Sequence, residues 1–436
     1  MITSLLSSSG YYLNQIIFIQ GVFNIMRLLY SFIGIFVILL IAYLMSNNKK
    51  AINVRTVLGA FFMQILFAMF VLYIPFGQQF IAVIANGVQN AINAGFTGVS
   101  FVFGPLADMS LGFIFAIKVL AVIIFFSSLI SVLYYLKIMP FIINTIGYGI
   151  HKLLGTSKSE SLSATANIFV GATEAPLVIK PFLNVMTRSE LFAVMTGGLA
   201  SVAGATLVGY ASLGIDMKYL IAASFMAAPG GLLMAKIIMP QTEEPHDELK
   251  EIKDKDSVEA KPINIIEAAA NGASSGMLLV VNIAAMLIAF IGLVALMDMI
   301  LGSLGNIVGL KGLSFNLILG YIFSPFAFLL GIPWNEATQV GAFLGQKFIF
   351  NEFVAYLSFS KDMANFSPLT QAITTFALCG FANISSMGMI IGGLGALSPK
   401  QKSNVSSLAF KAIIAGTLSN FMSAILAGIF LSFVFI

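Results

Sequence analysis

The chain has 436 residues, 59% of them hydrophobic and only 9% charged, where a soluble domain carries about 25% charged residues. That composition describes a polytopic membrane protein, and the net charge of +4, spread over loops, argues against a nucleic-acid partner. The single cysteine, Cys379, excludes an intrachain disulfide, and His151 and His246 stand in polar stretches with no His/Cys metal cluster around them.

Residues 1–25 hold a short apolar segment without a leading basic cluster or a convincing small-residue cleavage site, so no cleaved signal peptide is expected. They read either as an interfacial helix or as an extension ahead of a true start at Met26. The region 26–160 reads as mainly scaffold spans and interfacial helices. Its spans are expected at 28–46, 57–75 and 111–136. Residues 78–103, rich in Asn, Gly and Gln, are expected to form an in-plane helix and a loop. Residues 140–154 are amphipathic.

The stretch S-A-T-A-N-I-F-V-G-A-T-E-A-P-L-V-I-K-P at 163–181 breaks this pattern. Its two apolar arms are each about a dozen residues, against the roughly 20 that a spanning helix needs. The arms meet at Thr173, Glu174 and Pro176. This predicts a re-entrant hairpin over 161–187, because irregular backbone at membrane depth survives only in protein or along a wet cavity. A carboxylate at mid-membrane costs about 2.5–3.5 kcal/mol, which marks Glu174 as functional rather than a simple helix cap.

Spans are expected at 189–213 and 217–239, completing a first hairpin repeat over 161–240. Residues 241–262 form a charged cytoplasmic loop, and 263–314 hold an interfacial helix at 263–273 and a scaffold span at 274–301. A second hairpin repeat covers 315–436. Its apolar arm 315–331 stops at I-P-W-N-E-A, an arm at 337–359 carries N-E-F-V-A-Y, and spans follow at 368–397 and 405–435. The first of these spans is interrupted by C-G-F-A-N-I-S-S.

Lys49, Lys50, Arg55, Lys152, Lys158, Lys400 and Lys402, placed inside, orient the chain with both termini outside. The predicted fold is therefore all-α, with eight transmembrane helices plus two re-entrant hairpins of opposite orientation. In such inverted repeats the substrate and ion sites lie near the midplane, where broken helices meet.

Elimination narrows the site. Eight of the 18 acidic residues fall in the charged loop, and Asp108, Glu160, Glu190, Asp216, Glu267, Asp298 and Asp362 fall near span ends or interfaces. Glu174, Glu336 and Glu352 remain at hairpin depth, with Asn383, Ser385 and Ser386 adding uncharged polarity. Glu336 reads equally as a helix cap and is set aside. Two carboxylates with amides and hydroxyls suit a neutral, hydroxyl-rich ligand, and Lys180 and Lys347 read as snorkelling. An intramembrane protease would need a nucleophile with a nearby His, paired catalytic Asp residues or an H-E-x-x-H helix, and none is present, so no enzyme is expected.

The segments N-I-F-V-G-A-T-E-A-P, G-G-L-A-S-V-A-G, G-I-P-W-N-E-A, N-E-F-V-A-Y and C-G-F-A-N-I-S-S occur in order between residues 26 and 436. They resemble the concentrative nucleoside transporters, bacterial branch. The resemblance implies a homotrimer in the bacterial cytoplasmic (inner) membrane, with cation-coupled nucleoside uptake by alternating access and no cofactor beyond the coupling ion. It puts the nucleobase near Thr173 and Glu174, with Phe381 packing on it, and the ribose at Glu352, Asn383 and Ser386. It implies a sodium site from the side chains of Asn167 and Ser201 and the carbonyls of Val170 and Val202. Ala172 and Thr206 depart from the Gln and Val of some relatives, which leaves purine or pyrimidine preference open. Two alternatives stand beside this reading: proton coupling through Glu174 or Glu352, and a channel on the same architecture.

Overall fold

The computed structural model describes Met26 and residues 28–107, 112–172, 174–245, 262–307 and 309–434. The extension 1–25, Thr173 and most of the charged loop (246–261) lie outside the described residues. The described residues form helices and connecting turns, with no strand.

The chain opens with helix α1, Leu28–Leu44, then α2, Val54–Leu72. Residues 78–103 do not divide into an in-plane helix and a loop. They belong to one continuous helix, α3, Pro75–Phe103. The small residues that lower its hydropathy include contact points: Gly95 faces the Phe125 ring so closely that a Cβ there would stand 2.8 Å from it. Phe125 lies on α4, Ala116–Tyr135, whose first turn is π-helical. The amphipathic segment is α5, Ile138–Leu154, ended by Gly155 in the left-handed conformation (φ +68°), which costs a glycine little.

The first hairpin follows. Its arms are α6, Lys158–Ala166, and a 3-10 turn, Ala175–Ile179, running into α7, Lys180–Leu183. The next span is broken into α8, Arg188–Ala200, and α9, Gly204–Ser212, and is followed by α10, Met217–Ile238. The expected interfacial helix and span of 263–314 merge into one 43-residue helix, α11, Ile265–Ile307. Its first turns are held to α4 by Ser128 and Ser131, whose hydroxyls donate to the Ala269 and Ala268 carbonyls at 2.9 and 2.7 Å.

The second repeat is α12, Phe315–Leu329; α13, Trp334–Ile349; α14, Glu352–Asp362; α15, Pro368–Leu378; α16, Ser386–Leu397; and α17, Lys402–Ser432. The chain does bend at I-P-W-N-E-A, by 116° between α12 and α13. Glu352, however, belongs to the next break, at Phe350–Asn351, between α13 and α14. Element order then pairs α4 with α11, α5 with α12, α6 with α13, the Ala175–Leu183 arm with α14, α8 with α15, α9 with α16 and α10 with α17. The expected single arm at 337–359 is thus divided between α13 and α14 at a break that no proline or glycine marks.

By length and composition, six helices among the described residues are able to cross a membrane: α2, α4, the α8–α9 pair, α10, α11 and α17 with its leading turn. The expected spans at 28–46 and 368–397 appear as shorter apolar or broken helices: α1, and α15 with α16. The broken α8–α9 span and α10 are 94% buried over their apolar windows, whereas α11 is 11% buried, so the core sits among the repeats. Helices α4 and α11 pack on each other, while α2 packs against α10 and α17. Helix α2 thus adheres to the repeats, whereas α3 also packs on α4.

One end of the molecule gathers the basic loops. Arg55 donates to the Lys152 carbonyl at 3.5 Å, Lys411 to Asn47 at 2.6 Å, and Gln401 to the Met186 carbonyl at 2.9 Å. Glu160 and Glu190 are not simple interfacial charges: both are buried there, each closing a capping box, with Ser157 on α6 and with Thr187 on α8. Lys236 pairs with Glu160 and donates to Ser189 at 2.9 Å, and Ser159 donates to Glu190 at 3.3 Å. Removing one partner of such a buried pair costs about 3–5 kcal/mol, so this cluster fixes the base of the first hairpin.

Candidate functional site

Both hairpin breaks carry buried polar side chains, and each brings polar groups of a different kind. At the first, α6 ends at Asn167, which is 1% exposed. Neither amide atom of Asn167 finds a hydrogen-bond partner among the described residues. Leaving such a group unpaired costs about 1–3 kcal/mol. The amide faces the Gly197–Gly198 surface of α8, where a Cβ on Gly197 would stand 3.2 Å from its Nδ2. Two residues beyond α8's Leu199, Ser201 is buried at the break, and its hydroxyl makes only a long 3.5 Å contact to the Gly198 carbonyl. Val170 and Val202 are buried in the two non-helical stretches, at 2% and 0% exposure. Hard oxygen donors gathered where two helices end match what a sodium ion takes at such breaks. The residues present therefore fit the ion, and the unpaired Asn167 amide is the observation that asks for it.

Glu174 does not cap the 3-10 turn that it precedes, since its side chain makes no capping bond there. Its Oε2 accepts from the Gly171 amide at 3.3 Å. The side chain is exposed and faces a cavity of about 730 Å³ between α4, α5, α11 and the first break, shared with Tyr134, Asn144 and Asn271. Phe381, Glu352, Asn383 and Ser386 do not line this cavity. Ala172 packs its Cβ on Gly198, and the Thr206 hydroxyl is committed to the Ala203 carbonyl at 2.6 Å.

At the second break, Asn351 caps α14 by accepting from the Val354 amide at 2.9 Å, and Glu352 takes the first helical position. A carboxylate there is favoured by the positive end of the helix dipole. Glu352 is 4% exposed and fully engaged: Tyr210 donates to Oε1 at 3.0 Å and Asn383 to Oε2 at 3.2 Å. The Asn383 amide is itself oriented by the Ser386 amide N–H, which donates to Oδ1 at 2.8 Å, and by the Ser385 hydroxyl at 2.7 Å. The expected ribose set thus comes together around one buried carboxylate. Tyr210 is an addition that the sequence did not signal: it lies on α9 in the first repeat and stacks on Tyr356 with ring centroids 4.5 Å apart.

Phe381, in the non-helical stretch between α15 and α16, reaches across to the first repeat. Its backbone N–H donates to the Ser201 carbonyl at 3.1 Å, and its ring edge lies 3.8 Å from where a Gly171 Cβ would be. Nearby, Lys347 is not a snorkelling residue. It is 1% exposed and donates to the Ala377 carbonyl at 2.8 Å and to Asn420 Oδ1 at 2.7 Å. Asn420 in turn donates to the carbonyls of Ala200 at 2.6 Å and Cys379 at 2.9 Å. A lone asparagine in the middle of the 31-residue α17 was a readable signal, because polar groups at membrane depth are rare without a purpose. A search confined to carboxylates passes over it.

Three family models match the chain: Na+ dependent nucleoside transporter N-terminus over residues 33–106, nucleoside recognition (Gate) over 116–217, and Na+ dependent nucleoside transporter C-terminus over 219–428. The nucleoside permease NupC of Helicobacter pylori is 53% identical over 416 residues, covering 92% of this chain and 98% of that protein. Among solved structures, CNTnw in an inward-facing substrate-bound state is 47% identical with a TM-score of 0.88, covering 93% of this chain and 98% of that one. A CNTnw variant in an outward-facing state gives a TM-score of 0.91 at the same identity, covering 93% and 99%. These relatives are transporters and permeases, not enzymes, and with its broken helices and paired repeats the chain belongs to the family of Na+ dependent nucleoside transporters.

Proposed function

We propose that the chain is a sodium-coupled nucleoside symporter that carries its substrate into the cell across a bacterial cytoplasmic membrane by alternating access. The observation that carries this reading is the pair of polar groups held at neighbouring breaks: the buried Asn167 amide without a partner and the buried Glu352 carboxylate with oriented ones. Asn167 and Ser201, with the carbonyls of Val170 and Val202, hold sodium. Glu352, Asn383 and Ser386 take the ribose diol. Thr173 and Glu174 meet the base, with Phe381 against it. Tyr210 holds Glu352 in place for the sugar.

The two repeats, with α1 and α2 attached, move against a layer of α4 and α11, and this layer forms the contacts of a homotrimer. Its support is the exposed apolar length of α11, with residues such as Ile288 at 77% and Met299 at 64% exposure. Native mass spectrometry in mild detergent is expected to show trimers; monomers alone would remove the assembly from the proposal.

The deciding experiment is uptake of radiolabelled nucleosides into proteoliposomes with sodium and proton gradients imposed separately. Accumulation should follow sodium and an inside-negative potential, because a neutral nucleoside moving with one cation carries charge; 100 mV then contributes about 2.3 kcal/mol. Uptake unchanged in choline but abolished by collapse of a pH gradient would transfer the coupling to Glu174 or Glu352. Flux without accumulation would mean a channel.

A further inference from the structure

Sodium sites of the kind proposed above use the C-terminal ends of broken helices, where carbonyls are left without intrahelical partners and the dipole favours positive charge. The repeat supplies this arrangement twice. In the first repeat, the end of α6 and the end of α8 bracket Asn167 and Ser201. In the second, the paired elements are the end of α13 and the end of α15. Lys347 lies on the last turn of α13, and its ammonium sits on the Ala377 carbonyl, in the last turn of α15. Its other acceptor is an asparagine side-chain oxygen, Asn420 Oδ1. Asn420 belongs to α17, the counterpart of α10, so the two repeats share a position between paired helix ends but draw their asparagine from different elements.

The ammonium has no carboxylate within ion-pair distance among the described residues. Its surroundings are uncharged oxygen dipoles, which is how a protein holds a bare cation rather than how it builds a salt bridge. Asn420 extends the contact to both halves, since its amide nitrogen donates to Ala200 at the end of α8 and to Cys379 just past α15. Gly380 makes this approach feasible: a Cβ there would run into the Asn420 side chain. The other charged groups near this layer are Glu352 and, at the first break, the exposed Glu174.

We infer that Lys347 is the resident cation of the second repeat, occupying the place that corresponds to the coupling-ion site of the first, so that only one of the two symmetry-related sites takes a sodium ion. This rests on the sodium site proposed at Asn167 and Ser201. It assigns a role to a residue that touches neither nucleoside nor ion: Lys347 is a positioning residue that sets how many ions accompany each nucleoside.

The test reads sodium binding in two ways on the full-length protein: as the ratio of radiolabelled sodium to nucleoside taken up by proteoliposomes, and as the sodium dependence of thermal unfolding in detergent, which requires no transport. Wild type and Lys347→Arg should carry one sodium per nucleoside, with a Hill coefficient for sodium of about 1. Lys347→Met vacates the Ala377 and Asn420 oxygens, and its sodium isotherm should become cooperative, with a Hill coefficient approaching about 2 and a correspondingly doubled uptake ratio. A folded Lys347→Met protein with a wild-type isotherm overturns the assignment, as does a wild-type ratio of two. If Lys347→Met does not fold, Lys347→Gln takes its place under the same sodium isotherm: a Hill coefficient rising towards about 2 supports the assignment, and a wild-type isotherm overturns it. Loss of sodium binding in Asn167→Ala beside an unchanged Lys347→Met isotherm separates failure of this inference from failure of the first site. Sodium-independent wild-type uptake overturns both.

Discussion

The two hairpin breaks share an architecture and differ in how far their polar groups are satisfied. At the first, the Asn167 amide is buried and unpaired, and Ser201 has only a long contact. At the second, Glu352 is matched by Tyr210 and Asn383, and Lys347 by Ala377 and Asn420. The fold therefore tolerates one incomplete site and completes the other from within. An incomplete buried site costs stability until a ligand fills it, which is the thermodynamic condition for tight ion binding. A complete polar network rigidifies its surroundings and holds its carboxylate in one orientation, which is what the proposed sugar site requires.

The largest effect is expected at the satisfied break. Glu352→Gln should abolish most uptake while leaving assembly intact, because each hydrogen bond to a charged acceptor contributes about 1.5–3 kcal/mol. The same argument makes 3′-deoxynucleosides poorer competitors by roughly tenfold or more, measured by inhibition of radiolabelled uptake. Normal transport by the variant, or equal competition by the deoxy compounds, would remove the sugar from Glu352.

Next comes the unsatisfied break. Asn167→Ala should raise the sodium concentration for half-maximal uptake by about tenfold, corresponding to about 1.4 kcal/mol, before it changes nucleoside affinity at saturating sodium. Because the amide lacks partners, its removal should also leave the sodium-free protein as stable as wild type or slightly more stable, read by thermal unfolding. A sodium-free protein markedly destabilised by this change would mean that Asn167 has a structural partner instead.

A third change tests the bridge between the breaks. Gly380→Ala drives a methyl group into Asn420 and should destabilise the protein by about 1–3 kcal/mol, as overpacking does. Unaltered unfolding would show that Asn420 moves aside cheaply. The smallest effect belongs to Tyr210→Phe, which removes one of two side-chain donors to Glu352 and keeps the ring stack on Tyr356. Nucleoside affinity should fall by about tenfold or less, because Tyr210 acts through Glu352 and only part of the about 1.5–3 kcal/mol of that bond reaches the substrate. A loss as large as that of Glu352→Gln would place Tyr210 on the substrate itself.

Composition alone was enough to determine a membrane protein, and the proline-marked interruptions at Pro176 and Pro333 located two of the breaks, while the one at Phe350–Asn351 carries neither proline nor glycine and was not legible. Glu352 and Asn383 were legible because polarity at that depth needs an explanation, whereas Asn167 was legible only through the family resemblance. The pairing of repeats was less so. Residues 78–103 and 265–307 read as composites because small and polar residues lower local hydropathy, yet they lie within continuous helices whose glycines pack against α4. The expected arm at 337–359 proved to be two helices, because the break at Phe350–Asn351 is set by the Asn351 cap on the Val354 amide rather than by a proline or glycine. Tertiary structure alone decided that Glu160 and Glu190 anchor the first hairpin, that Tyr210 reaches across from the other repeat, and that Lys347 turns inward. Sequence periodicity says which residues are apolar, but a long side chain's direction depends on which helix ends and carbonyls lie within its reach. Those partners, Ala377 and Asn420, are 30 and 73 residues away along the chain.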